Sequence, residues 1–167
     1  MNAPVNSGEF HIAGDPAALE SWPVWPSTAF DYAALLAQAE TSLARREQAY
    51  PEWIRKGLIA GDAAEADIAA WRLLVAEWRW IVREEGELPP PASIHARRAA
   101  VDLSIERIEA EARRRHSAEL ADQAALLHGL RWHLARTDGL IPRVHRMAAI
   151  TRLLRADAAN FIERKAA

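Results

Sequence analysis

The chain contains no cysteine, which excludes disulfides and thiolate metal sites and is compatible with a reducing cytosol. No apolar run approaches a transmembrane span, because Arg, Glu or Asp interrupts each one, so no membrane association is expected. A basic start leading into an apolar stretch is missing too, so export is not expected and a cytoplasmic location is. Strong net charge is absent as well: the formal value is -2, without the global attraction of a strong nucleic-acid binder. The sequence has no HExxH, no glycine-rich phosphate loop, no dinucleotide fingerprint and no serine in a nucleophile elbow. Catalysis and cofactor binding are therefore not expected.

What the chain does have favours helix. Of its 167 residues 50% are apolar and 26% charged, and Ala, Leu, Arg and Glu dominate. The expected fold is all-α, a helical bundle or set of helical hairpins with one long helix and no sheet.

Residues 1–26 read as a flexible amino-terminal arm carrying Trp22 and Trp25 between prolines, followed by a helical hairpin unit over residues 27–86. Thr28 and Asp31 mark a helix start, and Leu35, Leu36, Leu43 and Tyr50 supply its buried side. Pro51 predicts a stop at Tyr50, with Glu52 to Lys56 forming a short turn that Gly57 closes. Asp62 is expected to cap the second helix with Glu65 reaching back to it. There Ile68, Trp71, Leu74, Val75, Trp78, Ile81 and Val82 recur at steps of three and four and form a stripe that must be buried.

Residues 87–92 are a proline linker that no helix interior can hold, and residues 93–167 follow as a long helix plus a carboxy-terminal helix. Ser93 is placed to cap the long helix. Val101, Ile105, Ile108 and Ala112 give it a coiled-coil-like seam that falters at Arg113 to His116 and resumes with Leu120, Ala124, Leu127, Leu130 and Leu134. With no Gly or Pro to turn it, the 43 residues from Ile94 to Arg136 read as one long or slightly kinked helix. Two helices hinged near His116 are the alternative. Asp138 and Gly139 end the element, Pro142 begins the next, and Val144, Met147, Ile150, Leu154, Ala158 and Phe161 give it an apolar face.

Arg45, Arg46, Tyr50, Pro51, Gly57 and the acidic, alanine-rich helix after Asp62 resemble small uncharacterised helical proteins of phages and prophages of alphaproteobacteria. The resemblance covers roughly residues 40–84. It implies a phage or prophage origin and assigns no catalytic residue.

Among polar candidates, His128 and His133 lie five apart on a helix and point in different directions, and His95, His116 and His145 have no zinc-motif partners, so no metal site is expected. Every strong signal concerns packing. The chain therefore reads as a non-enzymatic helical protein-interaction or assembly protein, a homo-oligomer or bound to a protein partner through Trp22, Trp25, Trp53 and Trp80. The long, incompletely covered seam motivates the oligomer. The alternative is a nucleic-acid-binding accessory protein using Arg97, Arg98, Arg113, Arg114, Arg115 and His116. It is less favoured, because Glu106, Glu109, Glu111 and Glu119 intersperse at ion-pair spacing.

Overall fold

A computed structural model describes residues 26–135, 137–138 and 141–166. Its helices are α1 (Tyr32–Arg55), α2 (Gly61–Arg83), α3 (Ile94–Arg115), α4 (Ala118–Ala135) and α5 (Arg143–Ala166). The fold is all-α. Among the described residues, extended pairing is confined to Thr137–Asp138 against Ile141–Pro142, a clip of two residues per side between α4 and α5. No described helix is long and apolar enough to cross a membrane.

Asp31 caps α1 as expected, its carboxylate accepting from the Ala34 amide at 3.1 Å. Thr28 instead donates its hydroxyl to the Ala125 carbonyl of α4. The stop expected at Tyr50 is not made: α1 runs through Pro51 for a further turn. Pro51 forfeits one backbone hydrogen bond, and the turn is held instead by Tyr50, buried with its hydroxyl donated to Asp67 of α2, and by the Trp53 ring against it. Gly57 then closes the helix at φ +68, with its amide on the Ile54 carbonyl and that of Leu58 on Trp53. This is the paired arrangement that a left-handed glycine permits.

Only three residues separate Gly57 from α2, so α2 starts earlier than the spacing of Asp62 and Glu65 suggests. Ala60 occupies the cap position without a side-chain bond, and Asp62 lies in the first turn, where a carboxylate still favours the helix dipole. The position of Ser93 before α3 is as expected but its role is not. A short 3-10 turn over Pro91–Ser93 directs its hydroxyl back to the Pro90 carbonyl at 2.6 Å, and it makes no cap bond.

The segment expected as one long helix is two. His116 adopts φ 50, and Ser117 restarts the chain by accepting from the Leu120 amide at 3.3 Å. Histidine tolerates the left-handed region better than most side chains, and serine is a strong helix cap. The turn thus needs neither Gly nor Pro. Contacts across it pair Glu109 with His128, Asp102 with Arg131 and Arg98 with the Leu134 carbonyl. Their mirrored numbering defines an antiparallel hairpin.

Matching pairs in the first half, Arg46 with Asp67, Glu47 with Arg72 and Glu40 with Arg79 and Arg83, make α1 and α2 a second hairpin. The two hairpins share one core in an up-down-up-down four-helix bundle. Trp71, Trp78, Leu35, Leu74, Val101, Leu127, Leu130 and Leu134 are its largest fully buried apolar side chains. Trp71, Trp78 and Leu127 therefore lie where the stripes require them. Gly129 lets α1 and α4 approach closely, since a Cβ there would stand 2.7 Å from Leu35 and 2.9 Å from the Thr28 hydroxyl.

Replacing His116 with glycine removes the Cβ cost of the left-handed turn and should raise stability by about 0.5–1 kcal/mol in urea denaturation. A continuous helix would instead lose about 1 kcal/mol to an interior glycine, so the sign of the change tests the hairpin.

Candidate functional site

Pro142 ends the clip and α5 begins at the next residue, anchored by its first three turns. Val144 and His145 are buried, and His145 Nε2 lies 2.5 Å from Glu77 Oε1 of α2. The guanidinium of Arg152 stacks 3.7 Å from the centre of the Trp80 ring and donates to the Trp80 carbonyl. Arg152 and Arg155 both approach Glu84, at 3.3 and 3.5 Å. Past Arg155 no hydrogen bond, ion pair or ring contact ties a described side chain of α5 to the bundle.

The rest of the helix presents apolar surface. Met147, Ile150, Leu153, Leu154, Phe161 and Ile162 are between 48% and 67% exposed. The face read from the sequence is present, and of its residues Val144 alone is buried. Val144 joins the core shared by α1 to α4, with Ala148 packed against it.

The four tryptophans singled out for a partner separate into three cases. Trp22 and Trp25 lie outside the described residues. Trp80 is only partly buried, yet its ring is covered by Arg152 and meets His145 edge-on at 5.9 Å, so it docks α5 and is not free for a partner. Trp53 is 40% exposed and leans on Tyr50 with ring centres 5.4 Å apart.

The arginines fare differently again. Arg97 is 1% exposed and in ion contact with Glu77, so it cannot reach a phosphate. Arg98 donates to the Leu134 carbonyl at 2.9 Å. Arg113 faces Glu109 at 3.7 Å, while Arg114 and Arg115 share Glu111. The Arg114 hydrogen bond holds the Glu111 carboxyl below its ordinary range. His116 is exposed but spent on the turn geometry. An incoming phosphate would have to displace carboxylates along this run. The histidines point apart as their spacing requires, His128 to Glu109 and His133 to the Ala29 carbonyl.

Glu77, Arg97 and His145 form a buried charged group that sequence reading did not assemble. A signal for it exists: Arg97 stands four residues before Val101 and Glu77 three after Leu74, both on buried stripes. Under Trp53 lies a second network. Arg46 bonds Asp67 at 2.8 Å, and Tyr50 donates to the same carboxylate.

No family model, curated protein or solved structure matches this chain. The functional reading rests on its surface.

Two stability measurements follow from the charged groups. Arg97→Met strands the buried Glu77 carboxylate and should cost about 3–5 kcal/mol, whereas Arg113→Gln, at the surface, should stay within about 0.5 kcal/mol. Equal effects would contradict the difference in burial.

Burial, and secondarily the bond to Asp67, raise the Tyr50 phenol above its ordinary pKa. A folded value above the unfolded one means that its contribution is complete below about pH 10 and is lost as pH climbs through the folded value. Tyr50→Phe should therefore lower stability at neutral pH by about 1–2 kcal/mol, with the gap from the parent protein narrowing in strongly alkaline denaturation curves.

Proposed function

We propose that this protein is a non-enzymatic assembly protein that self-associates through α5. The supporting observation is the apolar surface of that helix, six large side chains at least 48% exposed on an element whose buried apolar contribution to the core is Val144. Unpaired apolar surface of this extent is the usual mark of an interface. The sequence-level motive for an oligomer, a seam too long to be covered, moves accordingly. The α3–α4 seam closes within its own hairpin, and the uncovered surface belongs to α5.

A second copy of the chain suits this surface. At 24 residues, α5 is about 36 Å long. Two such helices, antiparallel about Leu154, set Met147 opposite Phe161 and Ile150 opposite Ala158, so that large faces large or small in turn. Like charges then oppose one another directly only at the ends, Arg143 against Lys165. Such a pairing is isologous, the commonest way for identical chains to close an assembly. A phage or prophage setting, implied by the resemblance of residues 40–84, accords with an assembly role.

Sedimentation equilibrium at micromolar concentrations should return twice the 18.6 kDa chain mass. Leu154→Arg should return the single-chain mass with the helical circular dichroism retained, since Leu154 is 64% exposed within its own chain, while the stability supplied by association is lost. Parent protein that sediments as a monomer throughout would refute self-association.

A further inference from the structure

A cleft of about 410 Å³ opens between α1, α3 and α4. Its lining is largely apolar, with Ala49 and the Tyr50 and Trp53 rings, inclined at 38°, from α1, Ile108 from α3 and Leu120 and Leu127 from α4. Arginines contribute to its lining from two helices, Arg45 and Arg46 of α1 and Arg107 of α3.

These arginines are not equivalent. Arg46 belongs to the fold, held by Asp67, by the Ser42 carbonyl and by the Ser104 hydroxyl, with its guanidinium over the Trp71 ring. Arg45 and Arg107 are exposed, and neither meets a carboxylate. Arg45 donates to the neutral amide of Gln123 at 2.8 Å, and Arg107 makes no hydrogen bond or ion pair. Every other exposed arginine of α1 to α4 is matched with a glutamate: Arg55, Arg72, Arg79, Arg83, Arg113, Arg114 and Arg115. Glu111 also lines the cleft, but Arg114 and Arg115 already engage it, so Arg107 is left uncompensated. Among the exposed arginines of α1 to α4, the two without a counter-ion share one apolar, aromatic cleft.

We infer that this cleft binds a small aromatic anion, its flat ring against Trp53 and Tyr50 and its phosphate or carboxylate between Arg45 and Arg107. The volume falls in the range of small-ligand pockets, roughly 300–1,000 Å³. An exposed indole on a second ring offers a stacking surface, and guanidinium groups match phosphate and carboxylate oxygens in forked geometry. A purely apolar ligand would leave both cations unused, and an inorganic anion would leave the aromatic wall unused.

Titration calorimetry on the full chain distinguishes the ligand types. AMP supplies the phosphate arm, indole-3-acetate the carboxylate arm and adenosine the uncharged control. At least one anion should bind, and adenosine should bind at least about tenfold more weakly than that anion. Arg107→Gln should weaken the anion by about tenfold or more, with an unchanged melting temperature because Arg107 supports no contact in the fold. Trp53→Leu should weaken it as well. The inference is overturned if neither anion gives heat at millimolar concentration, if adenosine binds as tightly as the anions, or if Arg107→Gln leaves binding unaltered.

Discussion

A carboxylate in the middle of a helical bundle has to be compensated where it stands, and Glu77, 2% exposed, imposes that condition on three helices. Removing an ion from water costs several kcal/mol, which close partners must offset. Arg97 brings the opposite charge from α3, and His145 brings a ring nitrogen from α5. The approach of Arg97 is an ion contact without hydrogen-bond alignment, so charge proximity carries the pair. The rotation of α3 about its axis and the attachment point of α5 both follow from satisfying this one side chain. The short anchored base of α5 and its long exposed remainder follow in turn.

Much of the architecture was legible because apolar residues repeat with the helical period. The stripe from Trp71 to Ile81 and the run Leu127, Leu130 and Leu134 are buried where their spacing puts them. Boundaries were less legible, because each depends on a competition between local preferences and tertiary contacts. Pro51 lost to the burial of Tyr50, and Asp62 lost to the short connection after Gly57. The break at His116, legible only as the alternative to one long helix, was hard to read for a different reason: a histidine with positive φ and a serine cap replaced the glycine that usually marks such a turn. Among candidate site residues the difficulty was charge. An arginine on an amphipathic helix resembles a solvated side chain, and only its register with Val101 separates Arg97 from its neighbours. Arg107 is the converse, ordinary in sequence and conspicuous only once the partners of the other arginines are known.

The bundle and the fifth helix divide the labour. Bundle surfaces are saturated with ion pairs between neighbouring helices, such as Glu40 with Arg79 and Arg83 and Glu47 with Arg72. Individually such exposed pairs contribute little, but they leave few free charges and no long apolar strip. The two places where this saturation fails are the cleft beside Trp53 and the outer face of α5. One offers cations without counter-ions, the other hydrocarbon without cover.

The connectivity also has a kinetic side. Side-chain pairs within the first hairpin are separated by 17 to 43 residues and those within the second by 19 to 36, while the links from α2 to α5 span 68 to 72. Chain closure favours the nearer partners, and helical proteins rich in local contacts fold fast. Each hairpin can form on its own contacts. The contacts that seat α5, by contrast, reach back to Glu77, Trp80 and Glu84 over the longest of these separations. By closure cost the fifth helix is expected to dock after the hairpins have formed, so that its apolar face is presented on a bundle already assembled.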